Sequence, residues 1–175
     1  PLSSPRDQIG MVTQSSELFH ASVRDNLTFF DTSIPDEKIL RVIRDLGLSS
    51  WYSSLSTGLD TVLESGGSGL SAGEAQLLAF ARIFLKDPGI IVLDEASSRL
   101  DPVTEHLIEQ AVDKLTQDRT ALIIAHRLKT VQRADKIMIL ENGKILEFGD
   151  RQTLAFDPSS RFNHLLQTGM DEVLE

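Results

Sequence analysis

The stretch that decides the fold covers residues 67–101 and reads GSGLSAGEAQLLAFARIFLKDPGIIVLDEASSRLD. Small, flexible residues lead into an amphipathic segment, an Asp-Pro-Gly sequence breaks that segment, and a short apolar run follows. This order predicts a helix over residues 71–86 and then a β-strand. The strand ends in two adjacent carboxylates, Asp94 and Glu95, which an ordinary buried strand does not need.

The flanking sequence predicts that this strand belongs to a parallel sheet. The runs QIGMVT (residues 8–13) and TALIIAH (residues 120–126) are apolar and have strand length. Helical patterns cover residues 33–48 and 102–115, with Pro35 in the first turn of the earlier helix. Continuous apolar runs without alternation favour strands buried on both faces, connected by helical crossovers. We therefore expect an α/β fold.

The remaining segments have simpler patterns. The sequence KIMILENGKILEF (residues 136–148) has an Asn-Gly pair between apolar runs, which predicts a β-hairpin. Residues 56–69 are rich in glycine and serine and are predicted to be a loop. The polar end of the chain, residues 150–175, is predicted to be helical.

Composition limits the classes of function. The 175 residues carry a net charge of −9, which argues against sequence-independent binding to nucleic acid because phosphates would be repelled. The absence of cysteine rules out disulfides and cysteine-ligated zinc. The sequence has no apolar run long enough to cross a bilayer and no visible signal peptide.

Three features suggest chemistry. Asp94 could hold Mg²⁺ and Glu95 could orient a water, although two acids could also simply end a strand in solvent. Ser71 and Glu74 fit a capping box, and the same helix N-terminus could bind an anion; both readings can hold together. His126 follows a predicted buried strand and could lie beside the carboxylates.

The other three histidines, His20, His106 and His164, lack such a placement. We expect them to be surface or packing residues.

Five motifs in order resemble those of ATP-binding cassette proteins. LSAGEAQ (residues 70–76) is similar to the signature motif, IIVLDEA to the Walker B strand, and SSRLD (residues 97–101) to the D-loop. His126 resembles the switch histidine and Gln14 the Q-loop glutamine. Ala72 replaces the usual glycine of the signature and Glu74 the usual glutamine, which bears on rate rather than on family.

The resemblance is to exporter-type cassettes. ELFHASVRDNL (residues 17–27) and GLDTVLESGG (residues 58–67) resemble exporter segments, with Glu64 at the acidic position of the second. The phosphate-binding Walker A motif, Gly-x-x-x-x-Gly-Lys-Ser/Thr, does not occur. In the family it precedes the Q-loop, so we expect this chain to be the C-terminal two-thirds of a cassette taken from a longer polypeptide.

The resemblance implies a partial P-loop NTPase core plus an α-helical subdomain, without the central Walker A strand. The whole chain, residues 1–175, would be part of one ATPase domain. Residues 15–86 would form the helical subdomain with the signature motif. Residues 1–14 and 87–149 would belong to the catalytic core, and residues 150–175 would form a C-terminal helical segment.

The family's activity implies ATP and Mg²⁺ as cofactors. Asp94 and Gln14 would hold the metal, Glu95 would polarise the attacking water, and His126 would contact the γ-phosphate. From the opposite subunit of a head-to-tail dimer, the signature and the D-loop would complete the ATP site, through Ser71, Ala72, Gly73, Glu74 and Asp101.

The expected partners are therefore a second nucleotide-binding domain and a transmembrane domain, fused or separate, at the cytoplasmic face of the cell membrane; nucleic acid is not expected. The parent protein would be an ATPase that powers export, and the isolated chain would be inactive. Two alternatives remain: a soluble ABC ATPase and a non-catalytic interaction fragment.

Overall fold

The computed structural model describes residues 8–13, 18–64, 69–94, 101–125 and 128–168. The chain divides into two compact units, Pro1–Leu122 and Ile123–Glu175. In the described part of the chain, no helix combines the length and the apolar character that crossing a bilayer requires.

Strands and helices follow one another in the mixed α/β order expected from the sequence. The strands are β1 (Ile9–Val12), β2 (Ala21–Ser22), β3 (Val62–Leu63), β4 (Ile90–Asp94), β5 (Thr120–Ile124), β6 (Lys136–Glu141) and β7 (Lys144–Asp150). The helices are α1 (Val23–Thr28), α2 (Asp36–Asp45), α3 (Ser49–Ser53), α4 (Ala72–Lys86), α5 (Pro102–Thr116), α6 (Leu128–Val131), α7 (Arg151–Phe156) and α8 (Arg161–Thr168).

A three-stranded sheet has the strand order β1-β4-β5. Strands β1 and β4 are parallel, with Ile9 beside Ile90 and Val12 beside Leu93. Both strands therefore end at the same edge of the sheet. This parallel pair and its flanking helices confirm the α/β class predicted from the apolar runs.

Helix α4 is central to the first unit, where it packs against α1, α2, α5 and β1. The apolar run that predicted this helix supplies its buried face: Leu77, Leu78, Phe80, Ala81, Ile83 and Leu85. Burial of this face removes most of the helix's apolar surface from water, which is the main stabilising contribution to such a unit.

Helix α2 (Asp36–Asp45) lies within the predicted range 33–48 but is shorter at both ends, and Pro35 precedes the helix instead of lying in its first turn. Pro35 occupies the N-cap position, and Asp36 and Glu37 lie in the first turn, where negative charge favours the helix dipole. Gly47, just after the helix, has a φ of +73°. A Cβ at this position would also lie 2.6 Å from the Leu107 side chain, so both backbone and packing favour glycine.

The prediction of a simple loop over residues 56–69 is wrong in its described part. Residues Gly58–Asp60 form a 3₁₀ turn, and β3 pairs antiparallel with β2, with Ala21 opposite Leu63. Both partners are two-residue strands that lie far apart in sequence, so no local alternation announces them. The helix α1 and the short helix α3 were also not predicted.

The prediction that the apolar strands are buried on both faces is wrong for β1, where Met11 is 57% exposed, and for β5. Leu122 is 52% exposed and Ile124 is 46% exposed. Exposed and half-buried residues alternate along β5, so the exposed side chains lie on one face of the strand. Strand β5 is also the last in the order β1-β4-β5 among the described residues. Strand β5 thus has more apolar side chains than the described part of the chain buries.

The second unit is built on the antiparallel β6–β7 hairpin. Asn142 and Gly143, at the turn, both have positive φ, 49° and 73°, as a two-residue type I′ turn requires. The predicted hairpin is therefore confirmed. A small core of Val131, Ile137 and Phe162 fixes the hairpin to the C-terminal helices.

The described part of the predicted helical segment 150–175 forms two helices, α7 and α8. The Glu147 carboxylate on β7 caps the second of them. It accepts hydrogen bonds from the Phe162 N–H at 2.9 Å and from the Ser160 hydroxyl at 2.9 Å. This cap connects α8 directly to the hairpin.

Candidate functional site

The first turn of α4 is held by a reciprocal capping box. The Glu74 N–H donates to the Ser71 Oγ at 3.1 Å, and the Ser71 N–H donates to the Glu74 Oε2 at 2.8 Å. A glutamate side chain satisfies this motif as well as a glutamine does, which gives a physical reason for Glu74 in the predicted signature. Ser71 and Ala72 remain exposed, so the turn is open to a ligand.

Gly73 lies where α4 meets α5. It is buried, and a Cβ built on it would come within 1.9 Å of the Thr104 Cγ2 atom. The close approach of the two helices therefore requires glycine at this position. Consequently the predicted signature turn contacts the N-terminus of the helix that follows the predicted D-loop.

Asp101 is the N-cap of α5, and Pro102 occupies the first position of the helix. The Asp101 Oδ1 accepts hydrogen bonds from the Val103 N–H at 3.1 Å and from the Thr104 N–H at 3.0 Å. The pKa of Asp101 lies below its usual range, chiefly because the side chain and the backbone N–H of Thr104 interact with the carboxylate. Asp101 is thus a fixed, exposed negative charge.

Asp94 is the last residue of β4 and is half-buried. Parallel strands β1 and β4 end at the same edge, so Asp94 lies at the carboxyl edge of the sheet, where ligands of open α/β folds bind. Its carboxylate is a hard oxygen donor of the kind that Mg²⁺ takes, alongside waters and phosphate oxygens. The described residues contain no group of three metal-ligating side chains.

The structure thus brings together the turn of Ser71 to Glu74 and Asp101, and it places Asp94 at a sheet edge. Gln14, Glu95 and His126 lie outside the described residues. Their predicted roles stay predictions.

The other three histidines are exposed, as expected for surface residues: His20, His106 and His164. The His20 Nε2 lies 3.9 Å from the Glu64 Oε2, and both side chains are mostly solvent-exposed. An exposed pair of this kind contributes little to stability.

A buried arginine on α4 was missed by the sequence analysis. Arg82 is only 8% exposed, and its Nε donates to the Asn26 backbone oxygen at 2.7 Å. One of its terminal nitrogens donates to the Asn26 Oδ1 at 3.1 Å. The signal was a single arginine within the apolar run LAFARIFL, where a charged side chain needs dedicated partners.

Three phenylalanines form an exposed aromatic patch beside Arg82; we define this patch as Phe19, Phe29 and Phe30. They are 44%, 54% and 57% exposed. The Phe19 ring centroid lies 6.3 Å from that of Phe29 and 6.0 Å from that of Phe30. The Arg82 guanidinium carbon lies 4.9 Å from the Phe29 centroid, in the range of a cation–π contact.

The backbone of the aromatic patch is held in an unfavourable conformation. Phe29 and Phe30 have φ of 53° and 64°, a region that L-residues with bulky side chains seldom adopt. The N–H groups of both residues, which follow α1, donate to the carbonyl of Asp25 in the first turn of that helix. Such strain, together with three exposed aromatic rings, is typical of a functional surface.

Comparison with known proteins gives a consistent result. The sequence model of the family described as ABC transporter matches residues 1–98. The chain is 39% identical over 166 residues to the alpha-hemolysin translocation ATP-binding protein HlyB of Proteus vulgaris, covering 95% of this chain and 24% of that protein.

Two other relatives have comparable similarity. The ATP-dependent lipid A-core flippase of Alcanivorax borkumensis is 44% identical over 154 residues, covering 87% of this chain and 26% of the relative. The toxin RTX-I translocation ATP-binding protein of Actinobacillus pleuropneumoniae is 39% identical over 162 residues, covering 93% of this chain and 23% of the relative. The chain spans about a quarter of the length of these relatives.

Proposed function

Because the chain belongs to the ABC transporter family, we propose that it forms part of an ATP-binding and ATP-hydrolysing domain that powers export across a membrane. The observation that carries this proposal is the contact between the Ser71–Gly73 turn and the helix capped by Asp101. Two exposed segments that would face nucleotide thereby lie on one rigid helix pair. The names of the relatives, which include translocation ATP-binding proteins and a flippase, support export as the task.

Each proposed role follows from the chemistry of its side chain. Asp94 would hold Mg²⁺, and Gln14 would supply a second oxygen ligand. Glu95 accepts a hydrogen bond from the attacking water and orients it, and His126 donates to the γ-phosphate. Bound Mg²⁺ would neutralise phosphate charge. The side chains then need only position the reacting groups and stabilise the transition state.

The Ser71–Glu74 turn of one domain completes the ATP site of a second copy of the domain. The Ser71 hydroxyl and the free N–H groups at the start of α4 face the phosphates held by the opposite subunit, and Asp101 lies at the same interface. An ATP site shared between two subunits requires a head-to-tail dimer. The exposure of Ser71 and Asp101 supports this arrangement because no described part of the chain covers either residue.

We also propose the division of the chain into subdomains. Residues 15–86 form the helical subdomain, residues 1–14 and 87–149 belong to the catalytic core, and residues 150–175 form a C-terminal segment. In this scheme α4 begins at the nucleotide interface and ends beside the core strand β1, against which it packs.

The aromatic patch is the proposed contact with the transmembrane domain. In this proposal the ATP-binding domain lies at the cytoplasmic face of the membrane. Three exposed rings on a small unit offer an apolar surface that a partner helix can bury. The cation–π contact with Arg82 restricts the motion of the Phe29 ring, which reduces the entropy lost when a partner binds.

The 175-residue chain alone does not hydrolyse ATP. It contains no Gly-x-x-x-x-Gly-Lys-Ser/Thr sequence, so it lacks the backbone N–H groups and the lysine that hold the β- and γ-phosphates. The test is phosphate release from Mg-ATP by the purified chain. Turnover above background that Glu95→Gln abolishes would overturn this part of the proposal.

The function itself is tested in the full-length protein. Glu95→Gln removes the negative charge that orients the water and leaves the shape of the side chain intact. We expect hydrolysis to stop while ATP still closes the dimer. Unchanged hydrolysis in this variant, or loss of ATP binding, would contradict the role assigned to Glu95.

A further inference from the structure

Thr104 touches two parts of the proposed ATP site at once. On one side, its Cγ2 would lie 1.9 Å, and its Cβ 3.2 Å, from a Cβ built on Gly73. On the other side, its N–H donates to the Asp101 Oδ1 at 3.0 Å. One residue in the first turn of α5 therefore contacts both the signature turn and the D-loop carboxylate of the same chain.

These two contacts differ in kind. The contact with Gly73 is steric and is made by the methyl group, so it sets how closely the first turns of α4 and α5 approach. The contact with Asp101 is polar and fixes the carboxylate over the start of α5. The Thr104 side chain also interacts with this carboxylate, as the lowered pKa of Asp101 reflects.

We propose that Thr104 is a positioning residue that makes the Ser71–Glu74 turn and Asp101 move as one body when the ATP site closes. This inference rests on the proposed function and deepens it. Catalysis by positioning is sensitive to small displacements, because a shift of about 1 Å can cost about a hundredfold in rate. A rigid spacing between two groups that act at the same interface meets that requirement without contact between Thr104 and nucleotide.

The test is a pair of compensating substitutions in the full-length protein. Gly73→Ala places a methyl group against the Thr104 Cγ2 and forces the two helix starts apart, so we expect kcat to fall by about tenfold or more. Thr104→Ser removes Cγ2 and retains the hydroxyl. Combined with Gly73→Ala, it should restore kcat to within about threefold of that of Thr104→Ser alone.

The double variant separates spacing from direct contact with nucleotide. If Gly73 acted only by leaving room for ATP, Thr104→Ser would not rescue Gly73→Ala. The matched control is Gly73→Ala with Thr116→Ser, the same chemical change at the other end of α5, where the hydroxyl bonds the Val112 carbonyl. Rescue by Thr104→Ser and none by Thr116→Ser is the expected result; equal behaviour of the two would overturn the proposal.

All rates are measured per folded dimer, below the melting temperature of each variant, so that lost stability does not count as lost turnover. If Gly73→Ala does not fold, the Thr104→Ala variant tests the proposal instead. Alanine favours the helix and creates no clash at this position, and we expect kcat of the folded variant to fall by about threefold or more. Wild-type kcat in folded Thr104→Ala would overturn the proposal.

Failure of the proposed function would be seen separately. A wild-type protein without ATPase activity, or with activity unaffected by Glu95→Gln, contradicts the function. Normal dependence on Glu95 without the Gly73–Thr104 compensation contradicts only the inference drawn for Thr104.

Discussion

Arg82 on α4 binds Asn26 on α1 through two of its nitrogens, at 2.7 Å to the backbone oxygen and 3.1 Å to the Oδ1. Asn26 is itself 1% exposed, and its amide nitrogen donates to the carbonyl of Phe19 at 3.0 Å. Burial lowers the pKa of Arg82. The pair connects the helix of the signature turn to the segment that carries the aromatic patch.

The first prediction concerns this pair. Arg82→Met should destabilise the domain by about 1–3 kcal/mol, because the buried carbonyl and amide of Asn26 lose their charged donor. Arg82→Lys keeps the charge but cannot span both acceptors, so it should destabilise as well. The measurement is the temperature at which the domain becomes sensitive to protease in the full-length protein.

Its matched control is Arg24→Met on α1. Arg24 pairs with Asp36 and Asp60, whose side chains are 51% and 78% exposed. Exposed pairs contribute about 0–1 kcal/mol, so the control should be close to the wild type. Arg82→Met behaving no worse than Arg24→Met would show that the Arg82–Asn26 pair is not structurally important.

The second prediction concerns the aromatic patch as a contact surface. The chain contains no cysteine, so a single Phe29→Cys can be labelled selectively once any cysteines elsewhere in the full-length protein are removed. If a transmembrane domain covers the patch, Phe29→Cys should react with a maleimide about tenfold more slowly than an exposed control, as expected when reaction requires local opening. The control is Phe156→Cys on α7, where the native side chain is 85% exposed. Equal labelling rates in nanodiscs would rule out the patch as the contact.

The third prediction concerns the edge of the three-stranded sheet. Strand β5 carries the exposed side chains of Leu122 and Ile124 and is the last strand of the sheet in the described part of the chain. An exposed apolar edge strand is a template for pairing with another chain. The isolated 175-residue chain should therefore self-associate in sedimentation experiments, and Ile124→Lys should reduce this association.

Val103→Lys is the matched control for this edge, because Val103 is 72% exposed but lies on α5 rather than on a strand. It should leave the association unchanged. A monodisperse monomer that unfolds cooperatively, with the edge still open, would contradict the prediction.

The sequence predicted those elements whose boundaries are fixed by local chemistry. Helix α4 begins at a capping box, α5 begins at an Asp-Pro pair, and the β6–β7 turn requires positive φ at Asn142 and Gly143. Each of these signals acts within four residues, so it can be read without knowledge of the fold.

The features that were missed depend on contacts distant in sequence. Strands β2 and β3 consist of two residues each and exist because Ala21 meets Leu63. Arg82 is tolerated in an apolar helix because Asn26, 56 positions away, accepts its hydrogen bonds. The steric role of Gly73 depends on Thr104 in the next helix, which the signature motif alone cannot indicate.

The residue types of the candidate site and the capping box at Ser71 were predictable, but the approach of Gly73 to Thr104 was not. Asp101 was identified by resemblance alone, whereas the spacing of Ser71 and Glu74 already predicted a capping box; the structure shows both Ser71 and Asp101 to be N-caps. An N-cap serine has a structural role that any globular protein could use. The helix cap and the nucleotide contact are therefore two separate roles of Ser71, and each has its own measurable effect.

The last prediction separates these two roles of Ser71. As a cap, its Oγ accepts from the Glu74 N–H at 3.1 Å, and Ser71→Ala should cost about 0.5–2 kcal/mol of stability. As a phosphate ligand of the opposite subunit, it should also lower turnover by about tenfold or more at temperatures where the variant is fully folded. Asp150→Ala is the control, since Asp150 caps α7 through the Thr153 N–H at 2.9 Å and should lose stability without loss of turnover.

Mixed dimers in nanodiscs make this test decisive. With Ser71→Ala in one subunit and Glu95→Gln in the other, both changes fall on the same shared ATP site and the second site remains whole. Such dimers should keep roughly half of the wild-type turnover if the two sites work independently, whereas dimers carrying both changes in one subunit have a lesion in each site and should be nearly inactive. If Ser71→Ala dimers turn over at the wild-type rate while folded, Ser71 is only a helix cap, and the proposed ATP site does not include it.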